Sequence, residues 1–179
     1  TPGSASVPGG SIIATLTNGG RVDGSFNVPN DIDKFQLPVV AGQRVALKLA
    51  ELGGNSSAIN PSLQVFDASG NLVALNNAST LAVVDFVVET STTLTVVAAN
   101  TTSGLGSYHL FTAVAGASFN TPSGDEGGVL GNGSRVTGNL SIGDLDLFSL
   151  SVTAGNRIRV GLAEASANSS SINPLLRIF

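Results

Sequence analysis

The sequence predicts an all-β fold made of tandem antiparallel β-sandwich domains, jelly-roll-like in form, of which the second is incomplete. Short apolar runs recur along the chain and are separated by Gly, Asn and Pro, as in antiparallel sandwiches. No segment carries the 3.6-residue apolar period of a helix. The chain also repeats itself, because residues 41–66 and 154–179 are identical at 14 of 26 positions. Such self-similarity marks tandem copies of one folding unit, here called copy one and copy two.

The predicted strands follow one another at short intervals. Alternation is clear after Arg44, where Val45, Leu47 and Leu49 share one face. Turn-forming pairs such as Ala41-Gly42 separate the runs. In copy one we predict strands near 11–16, 21–28, 33–39, 44–51, 62–67, 71–76, 81–89, 92–99 and 107–115; in copy two we predict them near 135–141, 146–152, 157–164 and 175–179.

Four segments make up the predicted domain organisation. Residues 1–10 are an N-terminal linker-like segment, 11–116 are sandwich copy one, 117–128 are a second linker, and 129–179 are the first half of copy two. Copy one has about the hundred residues that bury a self-sufficient core. Copy two lacks a counterpart of 67–116. We therefore expect its strand edges and apolar face to be open to a partner strand.

Composition narrows the class of protein. Charged residues make up 11 % of the chain and the net charge is −4, which argues against nucleic acid as a partner, since phosphate binding needs clustered Lys and Arg. The chain has no Cys and therefore no disulfide or thiolate ligand. No apolar run reaches the roughly 18 residues that span a bilayer. Low charge with many β-branched residues is typical of a β-rich extracellular protein.

An ordered set of motifs carries a family resemblance. In copy one these are Gly24, Asp31-Ile32-Asp33-Lys34-Phe35, Ala41-Gly42-Gln43, residues 61–70 (PSLQVFDASG) and residues 106–110 (GSYHL). Copy two repeats the first half of the set through residues 144–148, 154–156 and 174–179. In order and spacing the chain resembles the bacterial pre-peptidase C-terminal domain, a β-sandwich module appended to secreted enzymes and surface proteins.

The resemblance implies a non-catalytic role. Some members of that family bind calcium, and some bind collagen or other extracellular polymers. This chain departs from the pattern after Gly70, because Asn76-Asn77 stands where relatives often carry an Asn-Asp pair. That change removes a carboxylate from the region in which a calcium site would be expected.

Two Asp-x-Asp pairs, Asp31 with Asp33 and Asp144 with Asp146, are the candidate metal ligands. In an extended chain both carboxylates of a pair face the same side, about 7 Å apart, and could share Ca²⁺, which takes six to eight oxygen ligands. The alternative is structural: one Asp caps the turn through backbone N–H groups while the other orders the entry into the strand. Calcium is the one cofactor that the sequence leaves open.

No residues form a recognisable catalytic set. Glu51 and Glu164 end matching strands of different copies and cannot form one acid–base pair, so we expect each to bond the loop after it. His109 is the only His, and no Gly-x-Ser-x-Gly nucleophile motif accompanies it. The aromatic residues fall mostly at repeat-matched strand positions, which predicts core packing.

The sequence therefore predicts a non-enzymatic structural or interaction module at the bacterial cell surface or outside the cell. It would act as a spacer, an adhesin segment or a subunit of an assembly or filament, with strands of a neighbouring chain completing copy two. The alternative is an accessory module of a secreted hydrolase that binds an extracellular polymer, with or without calcium. Predicted partners are other copies of the chain or neighbouring domains of a longer chain. Neither nucleic acid nor a membrane span is expected.

Overall fold

The computed structural model describes residues 12–52, 59–165 and 173–179. The predicted N-terminal segment 1–10 lies outside these residues, as do the two Asn-Ser-Ser loops at 55–57 and 168–170. The described residues form strands and turns and contain no helix. Among them, no segment is a helix long and apolar enough to cross a membrane.

Nine strands lie in copy one, each ending within two residues of its predicted bounds. They are β1 (Ile12–Thr15), β2 (Arg21–Phe26), β3 (Ile32–Val39), β4 (Arg44–Glu51), β5 (Pro61–Phe66), β6 (Leu72–Asn77), β7 (Leu81–Val87), β8 (Thr92–Asn100) and β9 (Gly106–Ala115).

The nine strands form two sheets. One has the order β1-β3-β8-β5-β6 and the other the order β2-β9-β4-β7. All strand pairs within them are antiparallel except β1 with β3, which is parallel. The predicted all-β antiparallel architecture is therefore confirmed, with one parallel pair at the edge of the larger sheet.

Side chains from both sheets share one core. Val45, Leu47 and Leu49 of β4 are all fully buried, as their alternation predicts. They belong to the same apolar cluster as Phe35 of β3 and Val96 of β8 from the opposite sheet. Two sheets that face each other across one core are a β-sandwich.

Copy two forms far fewer strands than its sequence predicts. Among the described residues it holds only β11 (Leu147–Ser149) and the last residue of β10 (Gly127–Val129), which begins in the predicted linker; the two strands pair in parallel. The strands predicted at 135–141, 157–164 and 175–179 do not form, and the one predicted at 146–152 is reduced to three residues. These predictions were wrong because a strand needs a neighbour. In copy one, β4 lies between β7 and β9, whereas no strand lies beside 157–164 among the described residues.

Candidate functional site

The first Asp of each Asp-x-Asp pair closes the same turn in both copies. Asp31 Oδ2 accepts the backbone N–H of Asn27 at 2.8 Å, and its Oδ1 accepts that of Ile32 at 2.9 Å. Asp144 Oδ2 accepts the backbone N–H of Ser141 at 3.1 Å, and its Oδ1 accepts that of Leu145 at 3.0 Å. Side-chain acceptors of this kind satisfy N–H groups that the turn leaves unpaired. The structural interpretation of these two residues agrees with the geometry.

The second Asp of each pair has a different environment in each copy. In copy one, Asp33 accepts a hydrogen bond from the Tyr108 hydroxyl. The Tyr108 ring packs on Gly24 so closely that a Cβ there would lie 2.3 Å from a ring carbon. Burial raises the pKa of Asp33, while the Tyr108 bond opposes that rise and Asp31 adds to it. Gly24 and Asp33, both half-buried, thus pack with the buried Tyr108 at the edge of the core.

In copy two, Asp146 meets two other carboxylates. One oxygen each from Asp125, Asp144 and Asp146 lies within 4.8 Å of the others. Asp146 Oδ1 is inaccessible to water and makes no hydrogen bond. Asp146, which matches Asp33 in the repeat, therefore has carboxylates as neighbours, whereas Asp33 has the Tyr108 hydroxyl. Of the predicted metal ligands, the structure brings Asp144 and Asp146 together, and it groups neither Asp31 nor Asp33 with two further metal-ligating side chains among the described residues.

Burial, and after it the neighbouring like charges, raise the pKa values of two carboxyls in this acidic cluster. Burial, followed by the charges of Asp144, Asp125 and Glu126, raises the pKa of Asp146 to about 6. Burial and the charge of Asp144 also raise the pKa of Asp125. Three carboxylate oxygens at this spacing are hard ligands of the type that Ca²⁺ takes, though fewer than it prefers. The cluster could hold a cation or be relieved by protonation.

Sequence reasoning missed Asp125 because it lies in the predicted linker. It has no partner two residues away and no counterpart in the repeat. Only the packing of the linker against copy two brings it to Asp144 and Asp146, so no sequence signal pointed to it.

The two other acidic and basic candidates have structural contacts. Glu51 is buried and its Oε1 accepts the backbone N–H of Ile59 at 3.3 Å, beyond the Asn-Ser-Ser loop. His109 Nδ1 lies 2.6 Å from Asp23 Oδ1, and its ring meets that of Phe111 edge-on. Glu51 and His109 therefore contribute hydrogen bonds and packing within copy one.

The two copies differ most in how far their apolar side chains are exposed. At repeat-matched positions, copy one buries its side chains and copy two exposes them. Leu49 is 0 % exposed while Leu162 is 49 % exposed, and Phe66 is 0 % exposed while Phe179 is 72 % exposed. The prediction that the aromatic residues pack in a core fails for Phe179 and for Phe148, which is 37 % exposed. The further pairs are Val45 and Ile158, Leu47 and Val160, Leu63 and Leu176, and Val65 and Ile178.

Comparison with known proteins gives structural similarity alone. No family model matches the chain, and no curated protein matches it. Solved structures of similar shape include the pre-peptidase C-terminal domain of a collagenase from Bacillus anthracis, at 15 % identity and a TM-score of 0.49, over 59 % of this chain and 99 % of that one. A periplasmic inhibitor of g-type lysozyme from Aeromonas hydrophila matches at 15 % identity and 0.45, over 57 % and 96 %. A mitogen derived from Yersinia pseudotuberculosis matches at 12 % and 0.43, over 59 % and 93 %. The chain is similar in structure to a pre-peptidase C-terminal domain, the family that its motifs resemble.

Proposed function

We propose that the chain is a non-catalytic structural and interaction module of a bacterial cell surface or extracellular protein, and that it assembles by taking strands from a neighbouring chain into copy two. One observation carries the proposal. Six large apolar residues of 157–164 and 173–179 are exposed, although the residue at the matched position of copy one is fully buried in each case. Burying each large side chain would contribute about 1.5–3 kcal/mol.

The alternating pattern of 157–162 supports strand addition as the mode of assembly. Ile158, Val160 and Leu162 share one face of an extended segment, and Arg157 and Arg159 lie on the other. An extended segment with one apolar face and unpaired backbone groups fits recognition by β-augmentation. In copy one the equivalent strand β4 is flanked on both sides, by β7 and β9.

Present contacts of the last segment are weak enough to be replaced. Arg177 pairs with Asp85, and the Phe179 ring lies 5.6 Å from the guanidinium carbon of Arg44. Arg177 is 46 % exposed and Asp85 15 % exposed, and Arg44 also binds Asp85, at 2.6 Å, so losing Arg177 does not leave that carboxylate unpaired. An exposed cation–π contact contributes about 0.5–1 kcal/mol. Burial of Ile178 and Phe179 in a completed sandwich would contribute more than these contacts together.

The test is the oligomeric state of the full chain, measured by light scattering over a range of concentrations. We expect self-association that Leu162→Lys weakens at least tenfold, because it places a charge on the apolar face. Gly161→Lys is the matched control: it adds the same charge one residue away, where nothing lies within 4 Å of the added Cβ. Its association should match that of the original chain.

A concentration-independent monomer would overturn the assembly proposal. The accessory-module alternative would then take its place, tested by binding of the monomer to an extracellular polymer such as collagen. Equal weakening by both lysine variants would show that net charge, and not the apolar face, drives association.

A further inference from the structure

The outward face of the β2-β9-β4-β7 sheet carries buried apolar side chains that do not belong to the core of copy one. Ala50 is 1 % exposed and Phe111 is 4 % exposed, yet neither joins the cluster between the two sheets. On a solvent-facing sheet surface, side chains reach such burial only where another segment covers them. The segment that lies on them here is a turn of copy two.

Gly143 makes the closest approach in this contact. A Cβ added to it would lie 3.1 Å from both the Ala50 Cβ and a ring carbon of Phe111. Its φ is +87°, a left-handed conformation that Gly adopts freely. Beside it, Lys48 Nζ of β4 donates a hydrogen bond to the Asp144 carbonyl at 3.1 Å. A residue here must adopt a positive φ, and any side chain on it would push Ala50 or Phe111 away by at least a few tenths of an ångström.

Copy one carries the same turn in a form that does not dock. Asn30 stands at the position of Gly143 and also has a positive φ, of 62°. It is exposed, and its neighbours Val28 and Ile32 are 58 % and 36 % exposed. Asn is the residue after Gly that best tolerates this conformation. The same backbone turn thus exists with and without the side chain that would obstruct close packing.

We propose that the outward face of the β2-β9-β4-β7 sheet is an inter-copy docking surface whose partner is the Gly143 turn of the copy that follows, so that consecutive copies form a fixed pair. The Gly at this turn position selects the docking copy, and an Asn there leaves the turn free. This proposal does not depend on strand acceptance by copy two, because it concerns residues 141–145 and not the apolar segments further along.

The decisive variant is Gly143→Asn in the full chain, with Asn30→Gly as its matched control. Asn preserves the positive φ and adds the side chain found in copy one. We expect Gly143→Asn to undock copy two, which increases the radius of gyration in small-angle scattering by at least 10 %. Asn30→Gly should leave it unchanged.

A second readout follows from Lys48. The chain has only two lysines, so both can be titrated by NMR. Burial at the contact lowers the pKa of Lys48, and undocking should return it toward its ordinary value in Gly143→Asn alone. Fluorescence of Tyr108, the only Tyr in a chain without Trp, verifies that copy one stays folded.

Unchanged scattering and an unchanged Lys48 pKa in Gly143→Asn would overturn the proposal. If that variant does not fold, Lys48→Met replaces it, because it removes the bond to Asp144 while keeping the stem of the side chain. Expansion of Lys48→Met would support docking, and an unchanged radius of gyration would refute it. Neither scattering result requires self-association, so failure here is distinguishable from failure of strand acceptance.

Discussion

Copies one and two contain the same turns but not the same strands. The Asp31 turn and the Asp144 turn are capped alike, and Gly42 and Gly155 both have positive φ, of 87° and 89°. Beside these turns copy one forms two flanked strands, β3 before Gly42 and β4 after it. Copy two forms only the three-residue β11 before Gly155 and no strand over 157–164. Turn geometry follows from residues close in sequence, but strand formation depends on partners that are distant in sequence.

The largest difference in the free energy of unfolding should be between alanine variants of two matched leucines, one in each copy. Leu49→Ala leaves a cavity in a closed core and should lower the free energy of unfolding by about 4 kcal/mol. Leu162→Ala, at the matched exposed position, should change it by less than about 0.5 kcal/mol. Urea unfolding of the full chain, followed by Tyr108 fluorescence, measures both. Similar losses would mean that copy two buries Leu162 in solution.

Alanine variants of two glycines, one in each copy, should give the next largest difference in stability. Gly24→Ala places a Cβ 2.3 Å from the Tyr108 ring, which is held in the core, and should cost about 3 kcal/mol. Gly138 follows the second linker as Gly24 follows the first segment, and its nearest atom is Glu126 Cδ at 2.5 Å. The end of that flexible side chain can move, so Gly138→Ala should cost less than about 0.5 kcal/mol. Thermal unfolding followed by circular dichroism measures the stability of both variants. A Gly24→Ala variant as stable as the original chain would show that Tyr108 can shift.

A smaller effect, on the pH dependence of stability, should distinguish the region of Asp146 from that of its counterpart Asp33. The pKa of Asp146 is raised from 3.8 to about 6, so the folded chain binds more protons than the unfolded chain between these pH values. Stability in this region should therefore fall as pH rises from 4 to 6. The cost of the charged form above pH 6 is less than about 1 kcal/mol, because Asp146 is partly exposed and solvent screens it. Asp146→Asn should flatten this pH dependence, measured as hydrogen exchange of residues 141–149 from pH 4 to 7. An unaltered pH profile in the variant would refute the assignment.

Calcium binding by the Asp-x-Asp pairs remains a prediction, and the same variants test it. If Asp144 and Asp146 bind Ca²⁺ with Asp125, millimolar CaCl₂ should slow hydrogen exchange of residues 141–149, and EDTA should reverse the change. Asp146→Asn should abolish the response, while Asp33→Asn should retain it. Persistence of the calcium response in Asp146→Asn, or its loss in Asp33→Asn, would place the ion elsewhere. If calcium does not change hydrogen exchange in the original chain, the Asp-x-Asp pairs have only their structural role.

Much of copy one could be predicted from its sequence. Alternation in β4 and the turn residues on either side of it set the strand bounds, because both signals are local. A turn cap within each Asp-x-Asp pair is predicted for the same reason, and the structure shows that the first Asp of each pair is the cap. The pairing of Asp33 with Tyr108 could not be predicted, since 75 residues separate them. Asp125 was missed because only the path of the linker brings it to Asp144 and Asp146.

By itself, the sequence determined the all-β class, the repeat, the turns and the bounds of the strands in copy one. The tertiary structure alone decided which apolar runs become strands, which Asp receives a hydroxyl partner, and where copy two lies on copy one. The physical reason is that backbone conformation at a turn is selected by neighbouring residues, whereas a strand and a buried side chain are stabilised by contacts across the chain. Leu49 and Leu162 have similar local sequences. Flanking strands bury Leu49 in the core, and Leu162, which has none, is exposed.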